Sequence, residues 1–520
     1  MKCLFRIIFG LLISTAFMHA ETYVIDDAAT WKKITSSKGV TLEAGDKLLL
    51  KRGATYPGKL VVRARGKAGN PALVGACGEG AAPVIDAAGY HAGIQIIGSK
   101  HLVVEGIEIV GDGGAPKDGA DPTRRYGVLL LPGKGEACEN IILRNLNIHD
   151  IYSHKGAKHE GKNPTTHIGT AIRIAGGKNE TTISGISVIG CRIERTGFKA
   201  IELRNVRNAL VENNYMKDIG GPAIQPGVVE DLVVRGNTVD GSGSSLDPRM
   251  HMRGSGIWPW TSKRILIEKN TFMHARGKGD SCGIHIDFNC HDVVVQYNLS
   301  IDNEGGFVEI LGNCYNSAYR YNISVNDGAR VKGKNGAHQE GKVLWTSGYV
   351  GAKQKKVGPY NSYIYNNTVY VGPNSRSCFS ITGTTDGLLV ANNIFHIMGS
   401  TVDVLGDQDK RKDKIVSQLE RVDVRNNLWL RSDLLPETVP FKDDNPFTGD
   451  AGFANPGGLK LTDYVPDNIK LVQDKGIVIP KLPGDKIGLR IGLAVEEDIL
   501  GNRIHGNPDL GAIEIPAELK

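Results

Sequence analysis

Eight segments of the chain end alike, in a short apolar run, an asparagine and then a turn. They read LVENN at Asn214, VVRGN at Asn237, LIEKN at Asn270, VVQYN at Asn298, AYRYN at Asn322, YIYNN at Asn367, LVANN at Asn393 and VDVRNN at Asn427. Successive asparagines are 23, 33, 28, 24, 45, 26 and 34 residues apart. A repeat with a floor in the low twenties, lengthened by insertions, marks a solenoid whose units bury little alone and stack on their neighbours. A side-chain amide both donates and accepts, so one asparagine can bond its equivalent in the next coil and build a ladder inside the turn. Such a ladder fixes the register of the coils, and through it which distant residues meet.

Composition fits thin coils. The 66 glycines suit tight turns, and an aromatic content of 6% leaves Val, Ile and Leu to fill the interior. Residues 1–20 read as a secretory signal, with Lys2 and Arg6 as its basic part, Ile7–Ala16 as its apolar run and cleavage after Ala20. No later stretch approaches the roughly 18 apolar residues of a membrane span. A secreted or periplasmic monomer with no membrane span is therefore expected. Loss of Lys2 and Arg6 would lower the formal charge from +6 to +4. That is too mild for a dedicated nucleic-acid binder and compatible with an acidic glycan. Seven cysteines remain, and their odd count and scattered spacing exclude a small disulfide scaffold. Cys290 and Cys314 end the equivalent segments FNC and GNC, so they are expected to stack on adjacent coils as small interior residues. No Cys/His spacing forms a zinc site.

Residues 21–90 read as an N-terminal cap and first coils, with a short helix at 28–36 around Trp31. Coils with loop insertions occupy 91–435, and the Pro-, Gly- and Asp-rich stretch 436–520 reads as a closing segment. Asp407–Glu420 reads as a charged, helical insertion. His154, His159 and His167 lie in another insertion, and Arg330, His338 and Trp345 in the long interval between Asn322 and Asn367. Long insertions on a solenoid decorate its binding face. No linker divides the body.

Each coil carries a further strand, and the period of 2 sends its side chains alternately in and out. The segments are AIRIA (171–175), AIELR (200–204), AIQPG (223–227), GIWPW (256–260), GIHID (283–287), FVEIL (307–311) and CFSIT (378–382). Ile172, Ile201, Ile224, Ile257, Ile284, Val308 and Phe379 fit the interior. Arg173, Glu202, Gln225, Trp258, His285, Glu309 and Ser380 form an outward column, and Arg204, Trp260 and Asp287 a second one. Parallel rungs stack about 4.8 Å apart, so the columns make one contiguous face.

That face is unusual in its chemistry. Exposed tryptophan marks recognition, and sugar rings stack on aromatic faces. Asp287 and Glu309 fall on neighbouring rungs. Glycosidic hydrolysis needs one carboxylic acid to protonate the leaving oxygen and one carboxylate to attack or to activate water, and close carboxyls push each other's proton affinities apart. His285 lies between them in the same face. Asp302 and Glu304, in the turn DNEGG, are rivals, but turn carboxylates commonly accept backbone N–H bonds.

The mature chain resembles secreted bacterial right-handed parallel β-helix proteins that act on polysaccharides. The stretches AGDKLLLKRGATYPGKL…GKAGNPALVGACGEGAAPVID (44–86) and DILGNRIHGNPDLGAIE (498–514) are similar to their opening coils and closing motif. The resemblance implies an all-β, single-stranded right-handed parallel β-helix with an N-terminal cap and a C-terminal closing segment. GIHIDFN…GFVEILGN (283–313) is similar to the catalytic region of β-helix glycosidases such as glycoside hydrolase families 120 and 141. That similarity implies Asp287 as nucleophile or base and Glu309 as general acid/base, on a polysaccharide or oligosaccharide. Trp258 and Trp260 are then expected to form a stacking subsite, with Arg173, Glu202, Arg204, His285, Arg330 and His338 orienting substrate. No cofactor and no protein-bound metal are expected, a structural or substrate-bridging calcium being left open. A polysaccharide lyase is the alternative, drawing on Arg173, Lys199, Arg204 and Arg330 to neutralise a uronate. A carbohydrate-binding protein without catalysis is the third, since fold alone does not fix function.

Overall fold

The computed structural model describes residues 20–36, 39–155, 168–177, 183–403, 421–434 and 442–515. The expected signal segment up to residue 19, the expected insertion Asp407–Glu420, His159 and His167 lie outside these residues. The body is all-β, and every pairing between its named strands is parallel. Each passage between two ladder asparagines lays down three segments. After Asn298, Leu299–Ile301 joins a back sheet, Gly306–Ile310 a front sheet and Ala318–Arg320 a flank sheet before Asn322 closes the coil. The back sheet has 14 strands. Two long strands, Ile201–Glu212 and Ile224–Arg235, serve front and flank at once and fuse them into a 19-stranded sheet. Four later front strands, Gly306–Ile310, Lys342–Thr346, Arg376–Ile381 and Ser400–Asp403, form a sheet of their own.

The asparagine ladder runs through the later coils, beginning where Asn214 Oδ1 accepts the Cys191 N–H. From Asn214 to Asn427 each backbone N–H and each side-chain amide donate to Oδ1 of the next asparagine, the side-chain bonds measuring 2.9–3.0 Å. Asp443 ends the series by accepting both donors of Asn427. The residue before each ladder asparagine is left-handed, with φ of 55° at Asn213, 65° at Gly236, 58° at Tyr297 and 50° at Asn366. Asn and Gly tolerate that conformation best, which accounts for the recurring NN and GN pairs.

The interior is a continuous stack of aliphatic side chains. Ile172, Ile201, Ile224, Ile257 and Ile284 are in register and fully buried. One rung departs from expectation: Lys342–Thr346, inside the long insertion, is a front strand, and it places Leu344 between Val308 and Phe379. The helix Ala28–Ser36 packs Trp31 against Tyr56 and the first coils. Beyond residue 450 the chain lies along the body. Phe453, Tyr464 and Leu510 cover Ile301, Ile323 and Ile394, while Leu482 and Leu489 cover Tyr363. Among the described residues no helix is long and apolar enough to cross a membrane. Cys290 and Cys314 are buried and adjacent in register, and the seven described cysteines are unbridged.

Candidate active site

The front sheet is irregular where the carboxylates gather. Segments 256–260 and 283–287 join their neighbours through single bridges, Ile224 to Ile257, Ile257 to Ile284 and Ile286 to Ile310, instead of forming continuous strands. Pro259, which has no N–H to donate, interrupts the first of them. Register still holds across the break. Asn270, Asn298 and Asn322 mark consecutive coils, so Asp287 and Glu309 stand one rung and one diagonal step apart.

Period 2 put these side chains outside the coil, and there they are, but the face is not open. His285 and Glu309 are each 1% exposed and Asp287 is 6% exposed. His285 Nε2 lies 3.3 Å from Glu309 Oε1 and 3.9 Å from Asp287 Oδ1. The two carboxyl oxygens are thus no further apart than those contacts laid end to end, about 7 Å, which admits both the retaining separation (about 5–5.5 Å) and the shorter inverting ones (from about 6.5 Å). Trp258 stacks on His285, ring centroids 4.8 Å apart, and its Nε1–H donates to Asp287 Oδ2 at 2.7 Å. The Phe288 N–H donates to Asp287 Oδ1. Glu309 accepts a bond from the Cys282 thiol through Oε2, while its Oε1 and both nitrogens of His285 have no hydrogen-bond partner among the described residues.

Burial sets the protonation states. It raises Asp287 to about 7, against the opposing bonds from Trp258 and Phe288. It raises Glu309 to about 8, helped by the charge of Asp280, and it lowers His285 to about 4, so the imidazole is neutral.

Asp280, which the sequence pattern did not single out, completes the cluster. Burial would raise it, but Arg253 and Arg330 outweigh burial and keep it ionised. It sits in the irregular turn 276–281, where no periodicity marks a residue. The only sequence signal was a carboxylate closely preceding the strand at 283. That turn is the roof of the site, and the insertion clamps it. Arg330 donates to the carbonyls of Gly277, Asp280 and Gln339, Gln339 Oε1 accepts the Asp280 N–H, and the His338 N–H donates to Lys278 O. The His338 ring lies over Gly279, where an added Cβ would fall 2.3 Å from Nε2. Arg330 therefore holds the roof through backbone carbonyls, and His338 packs on it. Asp302 and Glu304 are engaged by Arg276, and Glu304 also accepts the Gly277 N–H. Both border a cavity of about 550 Å³ with Arg276, Lys278, Arg330 and Lys334, outside the Asp287–Glu309 cluster.

Further along the face, Glu202 is buried between Lys199 and Arg173, bonded to both. Trp260 lies beneath the Arg204 guanidinium, 5.2 Å from the ring centroid. The eight expected residues thus fall into three groups: Trp258 and His285 with the carboxyls, Arg173, Glu202, Arg204 and Trp260 on the rungs before them, and Arg330 and His338 in the insertion that clamps the roof. Trp345 adds an unforeseen member of the outward column, next to Glu309.

Ligand atoms of Asp280, His285 and Glu309 lie within 4.8 Å of one another, a set that could hold a metal ion. The donor set fits such an ion poorly. Arg253 already pairs with Asp280, and Lys342 faces Glu309, so positive charge is in place.

A family model for the right-handed β-helix region matches residues 85–272 and 170–395. The lacto-N-biosidase of Bifidobacterium longum subsp. longum is 27% identical over 334 residues, which are 59% of this chain and 19% of that protein. The chain thus spans about a fifth of the length of that relative. Among solved structures, a GH136 lacto-N-biosidase from Eubacterium ramulus superimposes with TM-score 0.49 at 21% identity, over 71% of this chain and 63% of that one. A mannuronic acid specific polysaccharide family 6 lyase from human gut microbiota gives TM-score 0.43 at 14% identity, over 83% and 92%.

Proposed function

This chain belongs to the right-handed β-helix family, and on that footing we propose that it is an exported glycoside hydrolase acting on an oligosaccharide or polysaccharide. Its body would be one right-handed parallel β-helix, with residues 21–90 as cap and 436–520 as closing segment. The observation that carries the activity is the pair of buried carboxyls, Asp287 and Glu309, within about 7 Å through His285, both raised by burial and only Asp287 bonded by N–H donors that favour its charged form. Asp287, with two N–H donors to stabilise its charge, is the nucleophile or base. Glu309, kept protonated near neutral pH by burial and by Asp280, is the acid. Neutral His285, stacked on Trp258, spaces the two. The similarity to a lacto-N-biosidase supports the same reaction class.

Asp280 is the rival of Asp287 as nucleophile or base, because it is the carboxylate in the cluster held ionised by an arginine. A lyase is less well supported. Lys199 and Arg173 are bound to Glu202, and Arg330 is spent on backbone carbonyls, which leaves Arg204 alone of these four without a carboxylate or carbonyl partner among the described residues and none of the four as a base for the C5 proton.

The test is release of reducing ends from neutral, uronic and sulfated glycans by wild type, Asp287→Asn, Glu309→Gln and Asp280→Asn. Loss of about 10²–10⁴ in rate with the fold intact is expected for the first two variants. Full activity in folded Asp287→Asn and Glu309→Gln would reject the assignment. A loss confined to Glu309→Gln and Asp280→Asn would transfer the nucleophile or base role to Asp280.

A further inference from the structure

The rungs before the carboxylates carry a charge imbalance. Lys199, Arg173 and Arg204 lie on two adjacent front segments, and Glu202 is the carboxylate bonded among them. Burial lowers Lys199, Glu202 opposes that, and Arg173 and Arg204 add to the lowering by repulsion, so the three cations share one field. Both oxygens of Glu202 are engaged, one by Lys199 and the other by Arg173. Among the described residues no carboxylate forms an ion pair with Arg204. Three cations against one anion leave a surplus of two positive charges on a half-open part of the face.

Arg204 is also built into place. Its column continues through Gly227 and Trp260 to Asp287. Gly227 has no side chain for a physical reason: a Cβ there would lie 2.6 Å from Trp260 Cε2. The bare backbone lets the indole fold back across the rung toward Arg204, and the guanidinium spreads over the ring at 5.2 Å. Stacking fixes the plane of the guanidinium and leaves its edge, with its N–H fork, for a planar or tetrahedral anion. From Arg204 to Asp287 is three rungs, about 14 Å.

We propose that Arg204, stacked on Trp260 and backed by Arg173 and Lys199, is a subsite for an acid-bearing sugar, whose carboxylate or sulfate ester it receives while the bond to be cut lies at Asp287. The substrate class is accordingly an anionic glycan. The inference rests on the glycan-hydrolase function above and adds to it which glycans are favoured.

Affinity electrophoresis tests this with polygalacturonate, chondroitin sulfate or a neutral β-glucan cast in the gel. Wild type is expected to be retarded by an acidic gel more than by the neutral one, and to lose that retardation as salt rises. Arg204→Gln should weaken it about tenfold or more, as for removal of a charge-assisted contact. Arg65→Gln, an exposed arginine far along the chain, should not. Retardation by polygalacturonate points to a carboxylate, and by chondroitin sulfate alone to a sulfate ester. No preference for either acidic gel, an unaffected Arg204→Gln, or an equal loss in Arg65→Gln overturns the proposal. Asp287→Asn separates the two ideas. It should keep the retardation and lose hydrolysis. If it retains hydrolysis while Arg204→Gln loses retardation, the catalytic assignment fails and the subsite stands.

Discussion

Replacing Asn298 by alanine should cost several kcal/mol, and its place in the ladder sets the size. The side-chain amide of Asn298 donates to Asn322 Oδ1, Ile267 O and Gln296 O, each at 2.9 Å. Its Oδ1 accepts the backbone N–H and the side-chain amide of Asn270, each at 3.0 Å. Two amide hydrogens serve three acceptors, so about four bonds are effective. At a net value of about 1 kcal/mol each, the loss is about 4 kcal/mol, and the Asn270 N–H left buried without an acceptor adds to it. Equilibrium urea unfolding followed by circular dichroism measures the difference. Asn298→Asp keeps the acceptor for Asn270 but sets a carboxylate against three oxygens. Its folded-state pKa is therefore raised, so its penalty is smallest at low pH and grows as pH rises. A loss below about 1 kcal/mol in Asn298→Ala would refute the claim that the ladder holds the coils in register.

If Asp287 must be ionised and Glu309 protonated, activity follows a bell in pH with limbs near about 7 and about 8, values belonging to the coupled pair; a plateau from pH 5 to 10 would contradict those roles. Burial raises Glu309 from 4.5 to about 8, so its contribution to stability is complete below its unfolded value and is lost as pH rises through the folded one. Glu309→Gln should flatten that decline in thermal unfolding, and an unchanged slope would show that Glu309 is not held protonated. Arg330→Ala removes three bonds from a buried cation, two to roof carbonyls and one to Gln339 O, and a stability loss of about 3 kcal/mol together with lost activity is expected. Unchanged catalysis in that variant would show that the roof does not position Asp280.

Much of this arrangement was legible in the sequence, because two periodicities reinforce each other. The asparagines supply the vertical register, and alternation supplies the face, so Ile257 and Ile284 fell inside while Trp258 and His285 fell outside. The coil at Lys342–Thr346 was missed because its strand, KVLWT, sits inside a long insertion, although every interval between ladder asparagines must contain one front strand. Burial of the outward residues was not legible. It arises from contacts between residues distant in sequence, Arg330 to Gly277 and Gln339 to Asp280, which no local pattern encodes. Asp280 was hidden for the same reason, since its role depends on Arg253 and Arg330 and not on a place in a strand.

The central claim, hydrolysis by the Asp287–Glu309 pair, is tested most directly by cleaving a glycan in water enriched in heavy oxygen and weighing the products. Hydrolysis places one solvent oxygen at the new reducing end, and the label should disappear with the activity in Asp287→Asn. An unsaturated end without solvent oxygen, or label uptake unchanged in folded Asp287→Asn, would contradict it.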